Sequence, residues 1–428
     1  MVEQGGRHSR VVLVPLPYQG HITPMFQLGT ILHSKGFSIT VVHTQFNSPN
    51  PSNNPDFKFQ AIPDGLSDDD ISSGNFVDTI ALLNVNCEAL FQECLAQMVK
   101  QQDPDDEIVC VIYDEMMFFS ESAANQLKLK SIILRTTSAA TGISRVALLR
   151  LKEEGYMPLQ DPIMQDPVPR FHPFQFKDLP ISKFGITENY LQLIINAYNT
   201  RTSSAVIWNT MDCLEQSLLA QIQQQYQVPI FQIGPLHKFA PASSSSLLME
   251  DSNCITWLNR QAPDSVIYVS LGSAASTDKK ELVEMAWGLA NSQQPFLWVV
   301  RPGSVNGSEE IELWPEGFKE AVEGTGCIVK WAPQKEVLSH DAVGGPSFGD
   351  QRVNAMYVSR VWRIGLQLEN ELERGEIEKA VRRLMVDKEG EEMRQRTKNF
   401  KEEVKLCIGE GGSSYNSLNN FLELIKSI

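Results

Sequence analysis

Paired cysteines are the first thing this sequence lacks. Cys87, Cys94, Cys110, Cys213, Cys254, Cys327 and Cys407 are far apart, form no C-x-x-C pair and are odd in number. That spacing excludes a zinc cluster and a disulfide framework, and it fits a reducing compartment. Positive charge is also scarce: 37 Lys and Arg face 52 Asp and Glu, a net charge of −15. No basic run is interleaved with aromatics, so nucleic acid is excluded as a partner. Long apolar runs are missing as well. The polar start MVEQGGRHSR leads only into the short VVLVPLP, far below the ~18 residues of a membrane span, and a cytoplasmic protein is expected. Finally, neither half contains G-x-G-x-x-G, which argues against a nicotinamide or flavin enzyme.

What is present is enough apolar material for two cores: 42% of 428 residues is hydrophobic, and a chain of this length splits into domains of about 200 residues. The first half alternates strand-like and helix-like segments. RVVLVPLP (10–17), a helical pattern in MFQLGTILHSKG (25–36) and the strand FSITVVHT (37–44) make one βαβ unit. IVCVIYD (108–114), LKSIILRTTS (129–138), SAVIWNT (204–210) and PIFQIGP (229–235) continue it. The Ser-rich stretch 236–253 reads as a flexible linker. The second half restarts with SVIYVSLGS (265–273), a helix over 279–292, PFLWVVR (295–301), GCIVKWAP (326–333) and helices from Glu376 onward. The expected fold class is therefore α/β, with two doubly wound, Rossmann-like domains facing across a cleft. Their bounds are 1–235 and 254–408, with a final helix over 409–428 packing back on the first domain. Ligands in such sheets sit at the carboxyl ends of the strands.

Candidate chemistry falls at those ends. His21, in PYQGHITP, follows the first strand and precedes a helix, whose N-terminal partial charge would keep the imidazole neutral, as a general base requires. A loop histidine that caps or packs is the alternative. Asp114 ends VIYDE, a different buried strand; it can hold an imidazole in one tautomer and stabilise the charge it gains, or it can cap the next helix. Met116, Met117, Phe118 and Phe119 suit an apolar acceptor wall, or simply the core. Gly272 and Ser273 can receive a phosphate at a strand end. Trp331 offers a face for stacking a base and Gln334 can bind hydroxyls, with core packing the alternative for the indole. Asp350 and Gln351 can grip a sugar or form a polar loop. Asp68, Asp69 and Asp70 resemble a D-x-D metal clamp, but a turn-rich solvated loop is expected and no metal is assigned.

Taken together, PYQGHITPM, VIYDE, IYVSLGS, FLWVVRPG, WAPQKEVLSHDAVGG, GDQRVNAMYVSRVW and GEGGSSYNSLNNF resemble the plant UDP-dependent glycosyltransferases (family 1) that glucosylate flavonoids, terpenoids and hormone-like small molecules. The resemblance spans nearly the whole chain, in the family's order, and implies the GT-B fold. It makes His21 the base that deprotonates an acceptor hydroxyl and Asp114 its partner. Trp331 would stack on uracil, Ala332 would meet it through its backbone, and Gln334 would bind ribose. Gly272 and Ser273 would approach the diphosphate; Asp350 and Gln351 would hold the sugar, the glutamine being associated with glucose. The implied reaction inverts the anomeric carbon, with UDP-glucose as donor, no resident cofactor, no metal, and the protein acting as a monomer.

One stretch departs from the family pattern. DAVGGPSFGDQ (341–351) reads as a strand ending at Ala342 and Val343, a Gly-Gly-Pro turn, and no room for a helix. In relatives the glycines lead into F-W-x-H-C-G-W-N-S-x-x-E, whose histidine, asparagine and serine bind the phosphates at a helix N-terminus. Here Gly345 is followed by PSFGDQ, so a helix and a strand of roughly 20 residues are missing. Weak transfer and a less stable C-terminal domain are the expectation. A non-catalytic protein that binds an aglycone, or a splice or gene-model variant, are the competing readings.

Overall fold

The computed structural model describes residues 8–159, 161–181, 186–198, 202–240, 248–272, 277–305, 314–347, 352–368 and 372–428. The chain divides into two compact units, Met1–Leu247 with Glu403–Ile428, and Leu248–Glu402.

The first unit is built on a seven-stranded sheet. Its strands are β1 (His8–Val14), β2 (Ser38–Thr44), β3 (Lys58–Ile62), β4 (Asp106–Asp114), β5 (Lys130–Arg135), β6 (Ala205–Trp208) and β7 (Ile230–Gln232). Every pairing is parallel and the order is β3-β2-β1-β4-β5-β6-β7. Parallel sheets are covered on both faces, so their strands read as continuous apolar runs. Val11, Val12 and Leu13 of β1 and Cys110, Val111 and Ile112 of β4 are accordingly all 0% exposed. The order reverses between β1 and β4, which places a topological switch point at their carboxyl ends.

Helix Gln19–Ser34 returns the chain from β1 to β2. It lies close to the sheet because position 29 is glycine: a Cβ there would stand 2.8 Å from Leu13 Cδ1. The helical spacing of MFQLGTILHSKG starts this helix at Met25. In the structure the helix begins six residues earlier, behind the extended Tyr18 (φ −130°, ψ 144°), and Pro24 lies inside it. Proline there forgoes one backbone bond to the preceding turn. His21 is thereby moved from a loop into the first helical turn.

Helix Ser413–Ser427, the last of the chain, contributes Leu418, Phe421, Leu422 and Ile425 to the same core as Val11, Leu13, Ile112 and Ile207. Phe421 is 0% exposed and its ring lies 5.5 Å from that of Phe231 beside β7 residues. Replacing a buried phenylalanine by alanine removes its transfer free energy and leaves a cavity. Phe421→Ala should therefore destabilise the first unit by about 3–5 kcal/mol in urea denaturation; a change under about 1 kcal/mol would contradict this packing.

The second unit has the strands β8 (Val266–Ser270), β9 (Phe296–Val299), β10 (Gly326–Val329) and β11 (Val343–Ser347). They are parallel, in the order β10-β9-β8-β11. Helices Lys279–Ser292 and Arg374–Met385 cover it, with Leu282, Met285 and Leu289 packing among Ile267, Trp298, Ile377 and Val381.

Four expectations need correction. Gly344, Gly345 and Pro346 are not a turn beyond a strand: they lie within β11, paired with β8 through an irregularity between Val343 and Gly345. A helix does follow, over Arg352–Met356, and runs into a π-turn over Tyr357–Val361. Asp68, Asp69 and Asp70 are the first turn of helix Asp68–Ser72, where carboxylates oppose the helix dipole and Ser67 with Asp70 makes a capping box. Leu236–Phe239, at the start of the expected linker, is a helical turn whose Leu236 is 0% exposed in the first core; residues 241–247 lie outside the described ones.

Candidate active site

The carboxyl ends of β1 and β4 bring His21 and Asp114 together. Asp114 is the last residue of β4 and fully buried, while the His21 side chain, in the helical turn after β1, keeps 20% of its exposure. His21 Nδ1 lies 2.7 Å from Asp114 Oδ2. A carboxylate only accepts, so Nδ1–H donates and Nε2 is left as the proton-accepting nitrogen. The second carboxylate oxygen, Oδ1, accepts from the Met116 backbone N–H at 3.0 Å. Asp114 thus holds the ring and, through Met116, the turn after β4; it does not cap the next helix, Phe119–Gln126, whose N-cap is Phe118 with no side-chain cap bond.

The third neighbouring strand adds a residue that sequence reasoning missed. Thr136, directly after β5, has its Oγ1 3.1 Å from His21 Nδ1. The loop carrying it is fixed by Glu215, a buried carboxylate that accepts from the Ala139 and Ala140 backbone N–H groups at 2.8 and 2.9 Å. Its position at a strand end of the same sheet was the available signal. Also unanticipated is Glu115, next to Asp114, which accepts from Arg135 Nη1 at 2.9 Å and Arg145 Nη1 at 2.8 Å.

The electrostatics correct the expectation of a ring kept neutral by a helix end. Burial works against the charged imidazole, but the charge and hydrogen bond of Asp114, with Glu115 behind it, outweigh burial and the opposing Arg145. The His21 pKa is consequently raised above its ordinary value. Glu115 stays ionised: burial opposes its charge, and Arg145 and Arg135 more than offset that, holding its carboxyl below the usual range.

Among Met116, Met117, Phe118 and Phe119, three are core: Met116, Met117 and Phe119 are between 0 and 3% exposed, and only Phe118 is partly open. A more accessible aromatic group stands three residues before His21. Tyr18 lies edge-on to both Phe46 and Phe76, with ring centroids 5.8 Å apart in each pair.

In the second unit the candidates follow the carboxyl ends of β8 and β10, which share one edge of the sheet because the strands are parallel. Gly272 follows β8 with φ +75°, a left-handed conformation that glycine adopts without strain, and nothing lies within 4 Å of where a Cβ would be. Trp331 follows β10, half-buried against Cys254, Leu258 and Val337, so part of its surface is core as the alternative reading had it. Ala332 is 4% exposed, and Gln334 opens helix Gln334–Ser339 with its side chain exposed. Ser273, Asp350 and Gln351 lie outside the described residues. Among the described residues no group of three or more His, Cys, Asp or Glu is arranged to hold a metal ion, and no helix is long and apolar enough to cross a membrane.

The chain as a whole is similar to known proteins. The family model described as UDP-glucoronosyl and UDP-glucosyl transferase matches residues 247–345. UDP-glycosyltransferase 76E1 of Arabidopsis thaliana is 47% identical over 451 aligned positions, covering 99% of this chain and 99% of that protein. Flavonol 3-O-glucosyltransferase UGT76E12 of Arabidopsis thaliana is 47% identical over 457 positions, covering 100% and 99%. Both alignments are longer than the 428 residues of this chain, so each relative carries residues with no counterpart here. Among solved structures, Phytolacca americana UGT2 complexed with UDP-2fluoro-glucose and pterostilbene has a TM-score of 0.80 at 23% identity, covering 98% of this chain and 100% of that one. A Polygonum tinctorium UDP-glucosyltransferase capable of glucosylating indoxyl has a TM-score of 0.83 at 23% identity, covering 99% and 100%. The shared fold is GT-B, two Rossmann-like units.

Proposed function

This chain belongs to the plant UDP-glycosyltransferase family, which moves a sugar from a UDP-sugar to a small molecule, and from that premise we propose its substrates, roles and rate. The donor is UDP-glucose and the acceptor a hydroxyl of a small lipophilic molecule of the flavonol kind. His21 Nε2 takes the hydroxyl proton as the acceptor oxygen attacks the anomeric carbon; the bond to UDP breaks on the opposite side and the configuration inverts. Asp114 holds the ring and stabilises its new charge. The observation that carries this reading is the 2.7 Å contact between Nδ1 and Asp114 at the switch point of the first sheet. Tyr18, Phe46 and Phe76 form the acceptor wall, in place of the buried methionines.

Trp331 stacks on the uracil, Ala332 meets it through its backbone, Gln334 binds ribose, Gly272 with Ser273 admits the diphosphate, and Asp350 with Gln351 holds the sugar. Stacking of a base on an aromatic side chain contributes about 1–3 kcal/mol. Trp331→Ala should accordingly weaken UDP binding by about tenfold or more in calorimetry, with the fold intact by circular dichroism. Unchanged UDP affinity would remove Trp331 from the site.

The phosphate-binding part of the donor site is incomplete, and three observations support this. The family match stops at residue 345, where the signature segment would begin. Ile364, Leu366 and Leu368 alternate as in a half-buried strand, yet this stretch joins no sheet among the described residues. Beside it lies a cavity of about 710 Å³ lined by Leu366, Leu368, Met393 and Arg360 among others. A chain with its acceptor side complete and its diphosphate donors missing binds an aglycone more readily than it transfers glucose. Titrating a flavonol and UDP-glucose separately tests this: the flavonol should bind and UDP-glucose should bind weakly. Turnover at the rate of full-length relatives would overturn it.

A further inference from the structure

Behind the His21–Asp114 pair lies a set of charges with no part in the transfer as described. Glu115 is 0% exposed and clamped between two guanidiniums, Arg135 (0% exposed) and Arg145 (12% exposed). Arg135 also donates from Nη2 to Tyr226 Oη at 2.9 Å and to the Ala197 carbonyl at 3.2 Å, and its guanidinium lies 4.0 Å from the centre of the Tyr198 ring. Burying two arginines and a glutamate so close to an imidazole is expensive unless the charges compensate. Here they do: Asp114 and Glu115 balance Arg135 and Arg145 while His21 is neutral, and uptake of the hydroxyl proton leaves the cluster with one net positive charge.

We infer that Glu115 and Arg145 are positioning residues for His21, setting through their opposed charges the pH range in which its imidazole can accept a proton. The inference rests on His21 being the base. Its geometry is a continuous set of contacts, from His21 to Asp114, from Asp114 along the chain to Glu115, and from Glu115 to Arg145. At the end of β4 Asp114 hydrogen-bonds the ring and Glu115 is the next residue; the loop after β5 adds Thr136 against the ring, and helix Ala139–Glu153 adds Arg145 through its ion pair with Glu115. Tyr190, Tyr198 and Tyr226 surround the arginines, and burial pushes their phenols up, so they stay neutral across the working range. Of these groups Glu115 favours the protonated ring and Arg145 disfavours it. The pair is therefore a two-sided adjustment, and each half can be removed separately.

The test is a carbon-13 NMR titration of the histidine rings in the full chain, the His21 signal being the one lost in His21→Gln. Glu115→Gln should lower the proton affinity of the ring and Arg145→Met should raise it, each by about tenfold for a unit charge several ångströms away in protein. Arg145→Lys, which keeps the charge, and the double variant Glu115→Gln/Arg145→Met, which removes one charge of each sign, should titrate with the unaltered chain. Folded single variants with unchanged titration would overturn the inference, as would Arg145→Lys behaving like Arg145→Met. Should the single variants fail to fold, a departure of more than about threefold in the double variant or Arg145→Lys overturns it equally. Because the readout is protonation and not turnover, it is separate from the role of His21 as base, which loss of transfer in His21→Ala decides.

Discussion

Inserting the F-W-x-H-C-G-W-N-S-x-x-E segment with its following strand between Gly345 and Pro346 should raise transfer from UDP-glucose by at least about 10²–10³-fold, the loss associated with a single oxyanion-type donor. The argument is electrostatic. Departure of UDP puts negative charge on the β-phosphate, and in the metal-free transfer that the resemblance implies, that charge must be met by fixed donors. The family resemblance implies that these are a histidine, an asparagine and a serine at a helix N-terminus, and the resemblance of this chain lapses at those residues. The same insertion puts its first residues beside β8 in place of Pro346 and Ser347, the end of β11, and runs on through a helix and strand; it should raise the denaturation midpoint of the second unit. A restored chain that is folded yet no faster than the present one would show that the phosphates are held elsewhere, and the proposal of an incomplete donor site would fail.

The second large effect belongs to His21. In the restored chain His21→Ala should lower kcat/KM by about 10²–10⁴-fold, the contribution of a positioned general base, and Asp114→Asn should fall in the same direction because the amide no longer favours the charged ring. The pH profile carries an independent signature. Only the neutral imidazole accepts a proton, and the His21 pKa is raised, so activity should be low on the acid side and climb as pH passes above the ordinary histidine value. The stability linkage has the opposite slope. Stability contributed by the His21–Asp114 pair is fully present below the unfolded-state pKa of the ring and is lost as pH rises through the raised folded-state value. Activity and this stability contribution therefore move in opposite directions over the same window. An acidic limb lying below the ordinary histidine range would refute the assignment.

How far the sequence revealed this depended on what each residue could signal locally. Buried parallel strands announce themselves, and VVLV, VCVIY and VIYV were legible because both faces of the sheet are covered and every position is apolar. β3 escaped because KFQAI lies at the sheet edge with only Ile62 buried. β11 was misread because glycine and proline disfavour strands, and pairing with β8 overrode that preference. His21 and Asp114 were legible as strand-end residues. The Glu115–Arg135–Arg145 set was not, since charged side chains in a sequence look like surface; only the adjacency of β4, β5 and helix Ala139–Glu153 buries them. That same adjacency decided the imidazole's protonation against the helix-end argument, a balance of opposing charges that spacing along the chain does not encode.

Because Leu418, Phe421, Leu422 and Ile425 complete the core begun by Val11 and Leu13, the order of synthesis matters to this protein. Domains released from the ribosome normally close from the amino terminus forward. Here the amino-terminal unit stays open along one face until the final helix emerges, after the whole carboxy-terminal unit has been made. A nascent chain stalled anywhere before residue 413 would present that apolar face to chaperones, and expression of a fragment ending at Leu247 should yield aggregate unless the last helix is supplied.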